Sequence, residues 1–275
     1  MVADSKNEGL LLGKHTPQLH EYSPQILHAI PRKIARESLG LGEALPFYGV
    51  DQWHAYELSW LDADGKPNVR VGRFTVPASS PNIIESKSVK LYLNALNNSQ
   101  FVSAEEFRET VVNDFSNIAG EGVELELFTV DDPSLAGSVF KGKSLDNFPV
   151  DAYSGEPVAE QLQIESEQVV DEIVYSHLLR SLCPVTGQPD WASVWFHYCG
   201  AAIDHRSLLQ YIIAYRDHQE FHEQCVERMF CDISRRCKPQ LLQIQAFYTR
   251  RGGLDINPFR TTDPHAEPLP RRNRQ

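Results

Sequence analysis

The sequence predicts an α+β fold in which a strand, strand, helix, helix, strand unit occurs twice, each copy an antiparallel sheet with a pair of helices. Three observations carry this reading: an aromatic-rich hairpin signal early in the chain, a helix pair directly after it, and recurrence of the same order in the C-terminal half.

Taken in order, "WHAYELSWLDADGKPNVRVGRFTV" (53–76) holds two apolar, aromatic-rich runs around Asp-Ala-Asp-Gly-Lys-Pro, so strands are expected near 53–61 and 67–76. In "ESKSVKLYLNALNN", Val89, Leu93 and Leu96 recur at helical spacing. The next segment, "SAEEFRETVVNDFSNI", opens with Ser-x-x-Glu, a pattern that caps the free amides of a helix start. "VELELFTV" (123–130) then reads as a strand returning to the sheet. The second copy runs through "EIVYSHLLRSL", "WASVWFHYCG", helices in "HRSLLQYIIAYRD" and "HQEFHEQCVERMFCDISRRC", and a strand in "LLQIQAFYTR". This places an N-terminal module at 1–130 and a C-terminal module at 166–275. Residues 131–165, acidic and rich in Pro, Gly and Ser, read as a connector. Disorder is expected at polar ends such as "HAEPLPRRNRQ".

Composition narrows the function. With 26 Lys+Arg against 37 Asp+Glu the net charge is -11, a field that repels phosphate backbones and anionic lipid. No direct nucleic-acid partner and no membrane partner is therefore expected. The Leu10–Leu12 run is too short for a signal-peptide core, and a cytoplasmic protein is expected. Five cysteines at 183, 199, 225, 231 and 237 form no C-x-x-C, which argues against a disulfide framework or a zinc ribbon.

Four patterns could carry chemistry. "GSVFKGKS" (137–144) fits G-x-x-x-x-G-K-S at every position, but a phosphate cradle needs a strand entering and a helix leaving, and "DDPSLA" and Pro149 flank it instead. His218, His222 and Cys225 are spaced to share one face of a predicted helix, a set that could hold zinc or could simply be ordinary helix residues. Cys183 lies in "RSLCPVTGQPDW", a loop between two predicted strands, with Asp190 seven residues on. A carboxylate disfavours a nearby thiolate but can deliver protons, so the pair suits covalent catalysis with acid/base assistance; a packed loop cysteine is the alternative. Glu85 opens a predicted helix, and Glu223 follows His222. A carboxylate accepting two parallel N–H bonds holds the amidine edge of a guanine-like base, whereas a helix-end charge or a solvated face is the plainer reading of either.

Together, "ESKSVKLYLN" (85–94), "SLCPVTGQPDW" (181–191), "EFHEQCVERMF" (220–230) and "YTRRGGLDINPFR" (248–260) resemble the 7-cyano-7-deazaguanine reductase family. These are the NADPH-dependent nitrile reductases of queuosine biosynthesis, and the likeness is to their long, two-module form, from about residue 10 onward. The resemblance implies tandem tunnelling-fold (T-fold) modules, NADPH as cofactor, no metal, and a homodimer. It implies that Cys183 attacks the nitrile carbon to give a thioimide and that Asp190 donates a proton. Ile83, Ile84, Glu85, His222 and Glu223 match substrate contacts, His222 being also a proton relay. Glu85, Ser86, Arg251 and Gly252 match cofactor contacts, and Lys87, Lys90, Arg250 and Arg260 are candidates for its phosphates on charge grounds. Since Glu85 and Cys183 lie in different modules, the pocket is expected where modules meet. Two alternatives stay open beside this one: a zinc-dependent pterin or purine cyclohydrolase-like enzyme using His218, His222 and Cys225, and a non-catalytic purine-binding module.

Overall fold

The structure, a computed structural model, describes residues 21–150 and 155–275. These form two compact units, neither contiguous in sequence: the first holds the described residues up to Ile34, then Gln52–Leu135 and Arg250–Asp255; the second holds Ala35–Asp51, Ala136–Thr249 and Ile256–Gln275.

The first unit begins with β1 (Ala29–Pro31) and the start of α1 (Arg32–Ser38). Strands β2 (Tyr48–Leu61) and β3 (Pro67–Pro77) follow, joined by the turn that the Asp-Gly signal predicts. The Asp62 carboxylate accepts the Asp64 amide at 3.0 Å and the Lys66 amide at 2.9 Å, fixing the turn and the register beyond it. Next come β4 (Asn82–Ile84), which pairs with β1, then α2 (Ser86–Leu96), α3 (Ala104–Ala119) and β5 (Glu124–Phe128), giving the order β5-β3-β2. The cap on α3 is offset from the reciprocal form: Ser103 accepts the Glu106 amide at 3.1 Å, while Glu106 accepts the Val102 amide, not that of Ser103. Helices meet sheet through aromatic stacks, Trp60 on Phe107 at 4.3 Å and Phe74 on Phe115 at 4.7 Å.

In the second unit, β6 (Lys143–Ser144) lies parallel to β7 (Ile164–Ser176). Then follow β8 (Arg180–Leu182), β9 (Pro189–Ile203), α4 (His205–Ala214), α5 (His222–Cys237), β10 (Leu241–Tyr248) and, from Ile256 on, β11 (Leu254–Thr261), whose first two residues belong to the first unit. The order is β11-β10-β9-β7-β6, with β8 also on β9. The fold is thus α+β, with antiparallel pairing of β1 with β4, β3 with β5, and β9 with β7, β8 and β10, and the strand, strand, helix, helix, strand order appears in both halves. No helix among the described residues is long and apolar enough to cross a membrane.

Several expectations are corrected. "EIVYSHLLRSL" is two strands, because the Asp146 carboxylate captures the His177 amide and ends β7. "LDINPFRT" is a strand despite Pro258, all eight residues being buried. Its charges find partners: Asp255 accepts from Tyr56 and contacts His54 Nδ1 at 2.9 Å in the first unit, and Arg260 pairs with Asp51 and Glu227, both at 2.8 Å, in the second. The polar tail is docked, with Ser138 N on Arg271 O at 3.1 Å and the Arg272 guanidinium 4.4 Å from the Phe140 ring centre. "GSVFKGKS" leads into no helix. Its glycines serve close packing instead: a Cβ on Gly137 would overlap Asn273, and one on Gly142 would lie 2.5 Å from Ile173 O.

Candidate active site

Strand register assembles the second unit's part of the site. Ser181 of β8 stands opposite Asp190 of β9, and the Cys183 amide bonds Gln188 O at 2.9 Å while the Gly187 amide bonds Cys183 O at 2.9 Å. Cross-strand partners share a face, so Ser181 and Asp190 point to the same side, and Cys183 follows directly on β8, one residue past the last pair of the ladder, Leu182 with Pro189. The loop is pinned from behind, since the Leu182 amide donates to His218 O at 2.8 Å. Both reacting candidates are buried, Cys183 at 6% exposure and Asp190 at 5%.

Helix α5 supplies the third group. It begins at His222, capped by the Gln224 side chain, which accepts the Phe221 amide at 3.3 Å. His222 Nε2 lies 3.3 Å from Asp190 Oδ2, and the imidazole stacks on Tyr248 with ring centres 3.6 Å apart and planes 3° from parallel. Glu223, the next residue, is buried. Cys183, Asp190, His222 and Glu223 therefore all sit in one unit, with Asp190 and His222 in direct contact.

The one-face helical spacing of His218, His222 and Cys225 does not hold. The chain leaves α4 through a single 3-10 turn, Tyr215–Asp217, so His218 lies outside α5 and pairs instead with Glu156 and, at 2.9 Å, with Glu220. Burial opposes its protonation, but the two carboxylates outweigh this and hold its pKa above the ordinary value. Cys225 is buried on α5, which pushes its thiol well up. Among the described residues no three His, Cys, Asp or Glu side chains are placed to hold a metal ion.

In the first unit, Ile83, Ile84 and Glu85 are all buried. Ile84 pairs with Ala29 in the short β1–β4 ladder, and the Glu85 amide bonds His28 O at 2.9 Å. Glu85 caps α2: Oε2 accepts the Ser88 amide at 2.6 Å, while Oε1 is buried with no hydrogen-bond partner among the described residues. A carboxylate oxygen so placed is an acceptor held ready for an N–H donor. Ser86 begins the helix, and one turn on, Lys90 lies against the Arg251-Gly252-Gly253 turn. Gly252 has φ +58, and a Cβ there would come 3.1 Å from Lys90 Cδ, so only glycine lets the turn lie this close. Lys90, Asn94, Glu57 and the two glycines line a cleft of about 140 Å³. A cation beside an open backbone turn fits the phosphate-bearing part of a dinucleotide. Arg260 does not: it is fully buried in the second unit between Asp51 and Glu227 and is removed from the candidates. Arg250 stacks on the Tyr56 ring, 4.3 Å from its centre.

Sequence reasoning missed Tyr248 and Ser181. The alternation in "LLQIQAFYTR" was the available signal for Tyr248: it pairs with Ala192, two residues past Asp190, and so shares Asp190's face.

A buried cysteine in a tight loop, with a contacting carboxylate and imidazole in the same unit, is a set of groups of the kind that cysteine enzymes use. Comparison with known proteins sharpens this. Residues 19–127 match the family described as "Nitrile reductase, 7-cyano-7-deazaguanine-reductase N-term", and residues 189–267 match "QueF-like protein". Proteins named NADPH-dependent 7-cyano-7-deazaguanine reductase are similar over almost the whole length. That of Paraburkholderia phymatum is 50% identical over 252 residues, 91% of this chain and 92% of the relative; that of Burkholderia multivorans is 51% identical over 261 residues, 94% of each. That of Coxiella burnetii, strain Dugway, is 50% identical over 257 residues, 92% of this chain and 91% of the relative. The chain belongs to the NADPH-dependent 7-cyano-7-deazaguanine reductase family.

Proposed function

We propose that this protein reduces the nitrile of 7-cyano-7-deazaguanine to the aminomethyl group, consuming two NADPH, as a step of queuosine biosynthesis. The observation that carries the reading at the level of residues is the buried Cys183 in the short loop between β8 and β9, the strand whose start holds Asp190 in contact with His222.

A nitrile carbon is a modest electrophile. Cys183 Sγ adds to it as its thiol proton passes to the Asp190–His222 pair, and the nitrile nitrogen takes a proton from Asp190, giving a thioimide bonded to the protein. NADPH, when bound, would supply hydride to that carbon, after which the C–S bond breaks, the sulfur of Cys183 leaves with its electron pair and recovers a proton from the Asp190–His222 pair, and an imine remains. A second hydride and a further proton give the primary amine. His222, in contact with Asp190, returns protons to it between the two reductions. Burial of Cys183 and Asp190 keeps water from hydrolysing the imine. Glu85, through its spare Oε1, and Glu223 accept N–H bonds from the base; Ile83 and Ile84 are apolar contacts beside it, and His222 completes the substrate set. Glu85, Ser86, Arg251 and Gly252 contact the cofactor, and Lys87 and Lys90 offer charge to its phosphates. The enzyme works in the cytoplasm as a homodimer and takes the free base, not a nucleic acid.

Intact mass of the protein mixed with 7-cyano-7-deazaguanine without NADPH tests this. The wild type gains the mass of the nitrile, Cys183→Ala does not, and NADPH discharges the adduct as amine. Full activity in Cys183→Ala, or binding without an adduct, overturns it.

A further inference from the structure

From the stack of Tyr248 on His222 we infer that Tyr248 is a positioning residue for proton transfer, its ring holding the His222 imidazole edge-on to Asp190. The inference rests on the reading above.

His222 is weakly fixed within its own plane. Nε2 reaches Asp190 Oδ2 at 3.3 Å, a long contact, and Nδ1 is buried with no hydrogen-bond partner among the described residues. Catalytic and metal-binding imidazoles are usually oriented by a hydrogen bond at the second nitrogen. Here a ring face takes that part. With centres 3.6 Å apart and planes 3° from parallel, rotation of the imidazole about Cβ–Cγ would drive its edge into the Tyr248 ring. Such face-on overlap is poor between two neutral rings and favourable when one carries positive charge, as His222 does while it holds a proton for Asp190.

Tyr248 is itself immobile. It is fully buried at the end of β10, its amide donates to Asn257 Oδ1 at 3.2 Å, and the Thr249 amide donates to Trp191 O at 2.9 Å. Ladder register places it opposite Ala192, so its position relative to Asp190 is set by the backbone. Burial pushes its hydroxyl well above the ordinary phenol range, so it stays neutral and contributes its face rather than a proton.

The test follows discharge of the preformed Cys183 adduct by NADPH in a single turnover, which begins after the substrate is held and is blind to substrate affinity. Tyr248→Phe keeps the face and should stay within about twofold of wild type; Tyr248→Leu removes it and should slow discharge about 2- to 30-fold, the range of a cation–ring contact. In a His222→Ala background Tyr248→Leu should have no further effect. Equal slowing with and without His222 would make Tyr248 merely structural. Slowing in Tyr248→Phe as large as in Tyr248→Leu would assign the effect to the hydroxyl. Either overturns the inference, and Tyr248→Met replaces the Leu variant if that does not fold. Absence of any adduct on the wild type would instead overturn the function proposed above.

Discussion

The first helix of the pair starts in the same way in both halves of the chain, and the two starts differ in how far water reaches the capping acid. Glu85 accepts the Ser88 amide at 2.6 Å, Ser88 Oγ returns to Glu85 O at 2.7 Å, and the His28 amide donates to Ser88 Oγ at 3.1 Å. Asp204 accepts the Ser207 amide at 2.7 Å, Ser207 Oγ returns to Asp204 O at 2.8 Å, and the Gln163 amide donates to Ser207 Oγ at 3.1 Å. Glu85, however, is 1% exposed with a spare buried oxygen, while Asp204 is half-buried. The second helices differ likewise. Glu105 in the first turn of α3 is exposed and pairs with Arg108, whereas Glu223 in the first turn of α5 is buried. One capping design thus leaves a solvated acid at one helix start and a dry one, with an acceptor oxygen to spare, at the other.

The largest effect expected from a single buried acid lies where every charge is paired. Glu227 accepts from Arg36 at 2.8 Å and from Arg260 at 2.8 Å, so Glu227→Ala should cost about 3–5 kcal/mol in chemical denaturation by removing the buried carboxylate these two guanidiniums share, Asp51 remaining as the partner of Arg260. Next, Glu85→Gln keeps an oxygen for the cap but loses the charge. Affinity for the free base, measured by titration, should fall about 10- to 100-fold with the melting temperature held within a few degrees. A parallel loss of stability would show that Glu85 is a cap and nothing more.

Glu220 gives a smaller, pH-dependent effect. Burial works against its ionisation, yet His218 and Arg228 outweigh this and lower its pKa, while the His218 pKa is raised. A raised His218 contributes fully below its unfolded value of about 6.5 and loses that contribution as pH rises through the folded value; a lowered Glu220 contributes above about 4.3 and loses it as pH falls through the folded value. Glu220→Gln should therefore cost about 1–2 kcal/mol between these limits and less above the His218 pKa, where Arg228 alone remains charged. A pH-independent difference in denaturant midpoint would contradict this. Smallest is Asp204→Ala, which should lose about 1 kcal/mol of stability by thermal melting with turnover unchanged.

Much of this was legible because it is local. Asp62–Lys66 forms the hairpin turn that its Asp and Gly demand, Ser103 caps α3, and the periodicity of Val89, Leu93 and Leu96 marks the buried face of α2. The family motifs named Cys183, Asp190, His222 and Glu223, which the structure gathers in one unit. What misled was also local: a helical period assigned to His218 ran across a break that only the 3-10 turn and the Glu156 and Glu220 contacts reveal. The expected disorder of the polar tail failed for the opposite reason, since the tail is held by packing far off in the chain, Gly137 against Asn273 and Ser138 against Arg271, and the flanks of the P-loop pattern had already argued against a phosphate cradle there.

By itself the sequence determined the α+β class and the strand, strand, helix, helix, strand order of each half, and its motifs nominated Cys183, Asp190 and His222 for the chemistry, because periodicity, turn chemistry and motif spacing act over a few residues. Tertiary structure alone decided that β11 with its Asp255, Asn257, Pro258 and Arg260 is a strand, that Arg260 is an internal ion-pair residue, and that Tyr248 lies on His222. A buried charge or a stacked ring depends on a partner far away in the chain, as Glu227 is from Arg36 and Arg260, and that distance leaves no local pattern to read.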